Sequence, residues 1–225
     1  MRILSTKLLT SSFKNRLVQK GFSLVEFPFI KIEPHALNID SLNDNILITS
    51  QNTVRLALND SNLKSLMVNK KYFCVGEKTK ALLEENGKRV VKMSKNGSFL
   101  SKYITANHKN ESFSFLCGRQ RRPEIEIELA QKKVPLTLHE IYNTIHTPKT
   151  VETKFDGVLF FSPSAVESYF KTNTWKFGMQ GFCIGSSTAA SLSNYTKNFS
   201  VAKFPNENQL LLSIHKYYSH DYDKK

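Results

Sequence analysis

NILITSQNTV at residues 45–54 and GVLFFSPSAV at residues 157–166 decide how this 225-residue chain folds. Each starts as an apolar strand, passes through small polar residues and enters a helical stretch. Further along, YFCVGEKTKAL (residues 72–82) is matched by GFCIGSSTAASL (residues 181–192). Both contain aromatic-Cys-aliphatic-Gly-x-x-Thr. The two motifs recur in the same order, offset by about 110 residues, which is the mark of an internal duplication.

Each copy reads as strand, turn, helix, strand, glycine turn, helix. That alternation predicts an α/β fold with a parallel sheet and helices on both faces, so two similar three-layer α/β domains are expected. The β-rich stretches at residues 24–33 and 134–144 flank the first copy and read as paired connectors, a two-stranded β-ladder. The predicted organisation is an inserted domain at 35–132 and a discontinuous one at 1–24 plus 146–225, with connectors at 25–34 and 133–145. At the N-terminus, residues 2–6 alternate like a strand and residues 11–21 read as a capped helix ending on glycine. This reading is preferred to a transit peptide, although the first 22 residues contain no acid. A cleft between the two domains is the expected ligand site.

With 40% hydrophobic and 23% charged residues, the balance is that of an ordinary globular protein. No apolar run approaches the roughly 18–20 residues needed to span a bilayer, so no membrane association is expected. Cys74, Cys117 and Cys183 show no CxxC spacing and lie in or beside apolar runs. They are expected to be small buried hydrophobes in a reducing cytoplasm. The net charge of +13 suits a polyanionic partner. Charge alone leaves nucleic acid, a membrane surface and a polycarboxylate ligand open. The basic residues are scattered, and no RNP, KH, helix-turn-helix or zinc-finger signature accompanies them, so no nucleic-acid partner is expected.

In open α/β sheets, ligands bind beyond the carboxyl ends of the strands, where helix N-termini offer unpaired N–H groups. Five turns in this chain fall at such places. Ser50, Gln51 and Asn52 follow one strand, and Ser162, Pro163 and Ser164 follow its repeat. Gly76 to Thr79 and Gly185, Ser186, Ser187 and Thr188 form the second pair, and Gly118 and Arg119 form a fifth turn after the apolar run at 113–116. Any one of these could be no more than a capped turn; five together suggest an anion site. No GxSxG, P-loop, GxGxxG or HExxH motif is present. The six histidines lack ligand spacing, and no metal is expected. Glu124, Glu126 and Glu128 read as a solvated helix face. Tyr142, at the end of a connector strand, could present its phenolic hydroxyl as a donor.

Taken together, residues 49–54 (TSQNTV), 75–79 (VGEKT), Cys117-Gly118, Tyr142, residues 160–166 (FFSPSAV) and 184–189 (IGSSTA) resemble the uroporphyrinogen-III synthase family, over nearly the whole chain. The resemblance implies two α/β domains joined by a β-ladder and a tetrapyrrole held largely by backbone N–H groups. It implies that hydroxymethylbilane loses water, is attacked at the substituted carbon of ring D and rearranges through a spiro intermediate to the type III macrocycle, with no cofactor. Tyr142 would then assist departure of hydroxide, and Thr79 and Thr188 would bind or orient. A substrate with eight carboxylates also accounts for the basic charge. A monomer is expected, with transient contact to neighbouring pathway enzymes. Lys80, Ser164 and Lys7 depart from the family's usual alanine, asparagine and arginine. The alternative from another class is a non-catalytic tetrapyrrole-binding sensor of the same fold.

Overall fold

The computed structural model describes residues 1–36 and 38–222, the side chains of residues 220–222 excepted. The chain opens with β1 (Arg2–Ser5), α1 (Ser11–Gln19) and β2 (Ser23–Glu26). It continues through β3 (Ile30–Pro34), β4 (Asn45–Ile48), α2 (Gln51–Asn59) and α3 (Ser61–Leu66). Then come β5 (Lys71–Val75), α4 (Glu77–Glu85), β6 (Arg89–Ser94), α5 (Gly97–Asn107), β7 (Phe113–Gly118), α6 (Glu124–Gln131) and β8 (Leu136–His146). The last segment holds β9 (Gly157–Phe160), α7 (Pro163–Phe170), β10 (Gln180–Cys183), α8 (Ser186–Leu192), β11 (Phe199–Val201) and α9 (Glu207–Tyr222).

Two compact units result, Met1–Lys31 with Ile145–Lys225, and Ile32–Thr144. The first is built on a sheet ordered β11-β10-β9-β1-β2, every pairing parallel. The second is built on β3-β8-β7-β4-β5-β6, with parallel pairing from β8 through β6. The duplication is therefore real at the level of elements: β4-α2 and β5-α4 correspond to β9-α7 and β10-α8.

Apolar runs become central strands because parallel sheets are covered on both faces. In β4, Ile46 and Ile48 pack with Val54, Leu63 and Leu83 on one side. Leu47, between them, packs with Phe73, Leu100, Phe115 and Leu129 on the other. β9 repeats the division, Leu159 facing Phe13, Leu17 and Ile214, while Val158 and Phe160 face Val166, Tyr169 and Leu192. β1 shows the same double burial, so the alternation read in residues 2–6 is lost: Ile3, Leu4 and Ser5 are all buried.

The stretch read as one connector, residues 24–33, divides in two. Its start is β2, which pairs parallel with β1; its end is β3, beside β8. α1 stops where expected, with Gly21 at φ +80° taking the left-handed position that follows a helix end.

Candidate functional site

In the inserted unit, the carboxyl ends of β7, β4 and β5 stand side by side, with Tyr142 of β8 level with the end of β7, and the turns read from the sequence leave from these strand ends. Ser50 caps α2, its Oγ accepting from the Asn52 N–H at 3.1 Å. That bond uses an acceptor lone pair and leaves the hydroxyl proton free to donate. Asn52 is exposed and Gln51 half-buried. Gly76 precedes α4 at φ +87°, with no side-chain cap, so the first N–H groups of the helix are left to other acceptors. Thr79 lies in that first turn but is only 5% exposed.

Tyr142 meets two of these turns. Its hydroxyl donates to Ser50 Oγ at 3.4 Å, and its ring stands over Gly118, where a Cβ would come within 2.5 Å of Cζ. Only the missing side chain of glycine makes room. The tyrosine is mostly buried, 7% exposed, and lies within β8 rather than at its end, so the expected open donor is a side chain packed among interior strands. Arg119, next in the turn, is exposed, and its N–H donates to the Tyr142 carbonyl at 2.9 Å.

The other unit repeats the arrangement at the adjacent ends of β9 and β10. Ser162 Oγ caps α7 by accepting from the Ala165 N–H at 3.1 Å, with Pro163 in the first turn, where its missing N–H costs nothing. Ser164 is half-buried. Gly185 precedes α8 without a side-chain cap; Ser186 and Ser187 are exposed, whereas Thr188 is 1% exposed. At the end of β1, Thr6 Oγ1 donates to the Leu159 carbonyl at 2.8 Å, and Lys7 places its ammonium 4.3 Å from the centroid of the Phe161 ring.

Against this geometry, the family model for uroporphyrinogen-III synthase HemD matches residues 11–211. The chain belongs to the uroporphyrinogen-III synthase family. Membership makes it an enzyme of tetrapyrrole biosynthesis, forming uroporphyrinogen III. Solved synthases share the fold. The uroporphyrinogen-III synthetase of Helicobacter pylori superposes with a TM-score of 0.73 at 16% identity, over 96% of this chain and 100% of that one. A mutant uroporphyrinogen III synthase of Thermus thermophilus gives 0.68 at 17% identity, over 98% and 99%. No curated protein sequence matches the chain significantly.

Within the synthase fold, Ser50, Gly118 and Tyr142 are brought into contact, and Gly76 leaves the neighbouring strand end. Thr79 and Thr188 sit beneath their turns. Sequence reading missed Arg121 and Glu140. Arg121 donates through Nε to Glu126 Oε1 and through Nη1 to Glu140 Oε1, each at 2.7 Å, and reaches the Gly118 carbonyl at 3.3 Å. Glu126 is thus not part of a solvated face, its side chain being only 19% exposed. The arginines at 119, 121 and 122, just before the alternating glutamates, were the available signal, but they did not tell which acid faces inward. The hydrogen bond from Arg121 holds the Glu140 carboxyl below its usual range. The three cysteines are free and buried, and burial pushes each thiol up to about 12. They are unsuited to nucleophilic chemistry.

Proposed function

We propose that this chain cyclises hydroxymethylbilane to uroporphyrinogen III as a hydro-lyase, with Tyr142 assisting loss of the terminal hydroxyl as water. The observation that carries the reading is the Tyr142 hydroxyl held against Ser50 at the row of strand ends. A donor there lowers the barrier to hydroxide departure. Ring D of the resulting azafulvene is then attacked at its substituted carbon, and the spiro intermediate reopens and closes as the type III ring. The remaining work is positioning, because the two ends of a flexible tetrapyrrole must be brought together.

The eight carboxylates suit the strand-end turns. The first N–H groups of α4 and α8, the serines at 50, 162, 164, 186 and 187, and Gln51, Asn52 and Arg119 offer donors of the needed kind. Thr79 and Thr188, being buried, each support the turn of their own unit from beneath. The basic surface would draw in the polyanion. A cytoplasmic monomer that meets its pathway neighbours transiently fits this role. Among the described residues, no helix is long and apolar enough to cross a membrane.

The test is to supply the purified protein with hydroxymethylbilane, generated in situ from porphobilinogen, and to separate the oxidised porphyrin isomers. A dominant type III product with nothing added is expected. Only the spontaneous type I isomer, with tight tetrapyrrole binding, would instead favour a non-catalytic sensor.

A further inference from the structure

Pairing between β7 and β8 slips by one residue at the site. Cys117 lies opposite Glu140, but Gly118 lies opposite Tyr142, leaving Ile141 as an extra residue. In a regular strand, neighbours point to opposite faces. Here Ile141 and Tyr142 both pack into the cluster that holds Ile46, Ile48 and Leu116. The bulge therefore decides which way Tyr142 faces. Bulges re-aim side chains in this manner beside active sites.

What holds the bulge is the turn after β7. On its far side, the Arg119 N–H donates to the Tyr142 carbonyl at 2.9 Å and the Thr144 N–H to Gln120 Oε1 at 2.8 Å. On its near side, the guanidinium of Arg121 joins Glu140 to Glu126 and to the carbonyls of Gly118 and Arg119 at 3.3 and 3.4 Å. A guanidinium presents its donors in a rigid fork, and the near-side contacts draw on that one planar group. Its side chain is only 16% exposed, so the links are partly shielded from water.

We propose that Arg121 is a positioning residue for the synthase reaction: by clamping Glu140 to the Gly118 turn it locks the Ile141 bulge and so aims the Tyr142 hydroxyl. The proposal rests on Tyr142 assisting hydroxide departure. Arg121 itself touches no reacting atom.

A four-cornered comparison of wild type, Arg121→Ala, Tyr142→Phe and the double variant separates aim from general support. Steady-state turnover of hydroxymethylbilane is measured for each, with folding checked by circular dichroism. A small misplacement of a reacting group can cost on the order of 100-fold, so a kcat loss of that size with little change in KM is expected for Arg121→Ala. In the Tyr142→Phe background the same change should cost less than about threefold, because the group it aims is gone. Equal losses in both backgrounds, or none in the first, overturn the proposal. Should the alanine variant fail to fold, Arg121→Lys, which keeps the charge but not the fork, takes its place in the same cycle with the same outcomes. If Tyr142→Phe alone turns over at the wild-type rate, the reading of Tyr142 fails and the proposal with it. That result is visible in the single variant before position 121 is altered.

Discussion

Gly118 lies so close to Tyr142 that a Cβ at position 118 would stand 2.5 Å from Cζ and 2.8 Å from the hydroxyl oxygen. Contacts this short cannot be absorbed without moving the ring. Gly118→Ala should therefore displace Tyr142, with an overpacking cost of about 1–3 kcal/mol in chemical denaturation. Turnover should fall by at least about tenfold in the same variant. Unchanged kinetics in a destabilised protein would show that the ring's placement does not matter to the reaction.

Tyr142→Phe keeps the ring and removes only the hydroxyl. Its bond to Ser50 is long, 3.4 Å, so its loss should change stability by less than about 1 kcal/mol. A group that assists leaving-group departure is worth roughly 100-fold or more in rate, and kcat should drop accordingly while KM holds. A variant with wild-type turnover would discard the role as acid.

Ser162 and Ser164 share a turn but make different bonds. Ser162 Oγ accepts the Ala165 N–H, so Ser162→Ala should cost about 1 kcal/mol, the usual worth of a helix cap. Ser164→Ala removes no cap and should stay within about 0.5 kcal/mol. Parallel urea titrations of the two variants decide between this and equal effects.

Burial holds the thiols of Cys74, Cys117 and Cys183 near 12, so almost no thiolate exists at about pH 8 in the folded chain. A disulfide reagent added at that pH should titrate no thiol in the native protein and all three in denaturant. Rapid labelling of the native protein would contradict the packing of β5, β7 and β10.

Glu140 has the opposite sign. Its carboxyl is held below the ordinary value of 4.5, first by the hydrogen bond from Arg121. A depressed carboxyl stabilises the fold above its unfolded value, and that contribution is lost as pH falls through the lower folded value. Thermal unfolding of wild type and Glu140→Gln should differ most near neutrality and converge below pH 4.5. A difference in Tm that does not vary with pH would mean that the carboxylate charge adds nothing.

The sequence by itself determined the duplicated α/β architecture, the central strands and the helix-capping turns. These are legible because they are local: a parallel strand covered on both faces must be an apolar run, and a helix start needs a cap or a glycine within a few residues. Only the tertiary structure decided that residues 24–33 split between two sheets, that Glu126 turns inward to Arg121, and that Tyr142 reaches Ser50 across 92 residues of chain. The extra residue at Ile141 decides the last of these. A one-residue slip in register leaves no trace in composition or periodicity, yet it reverses the face on which every following side chain lies.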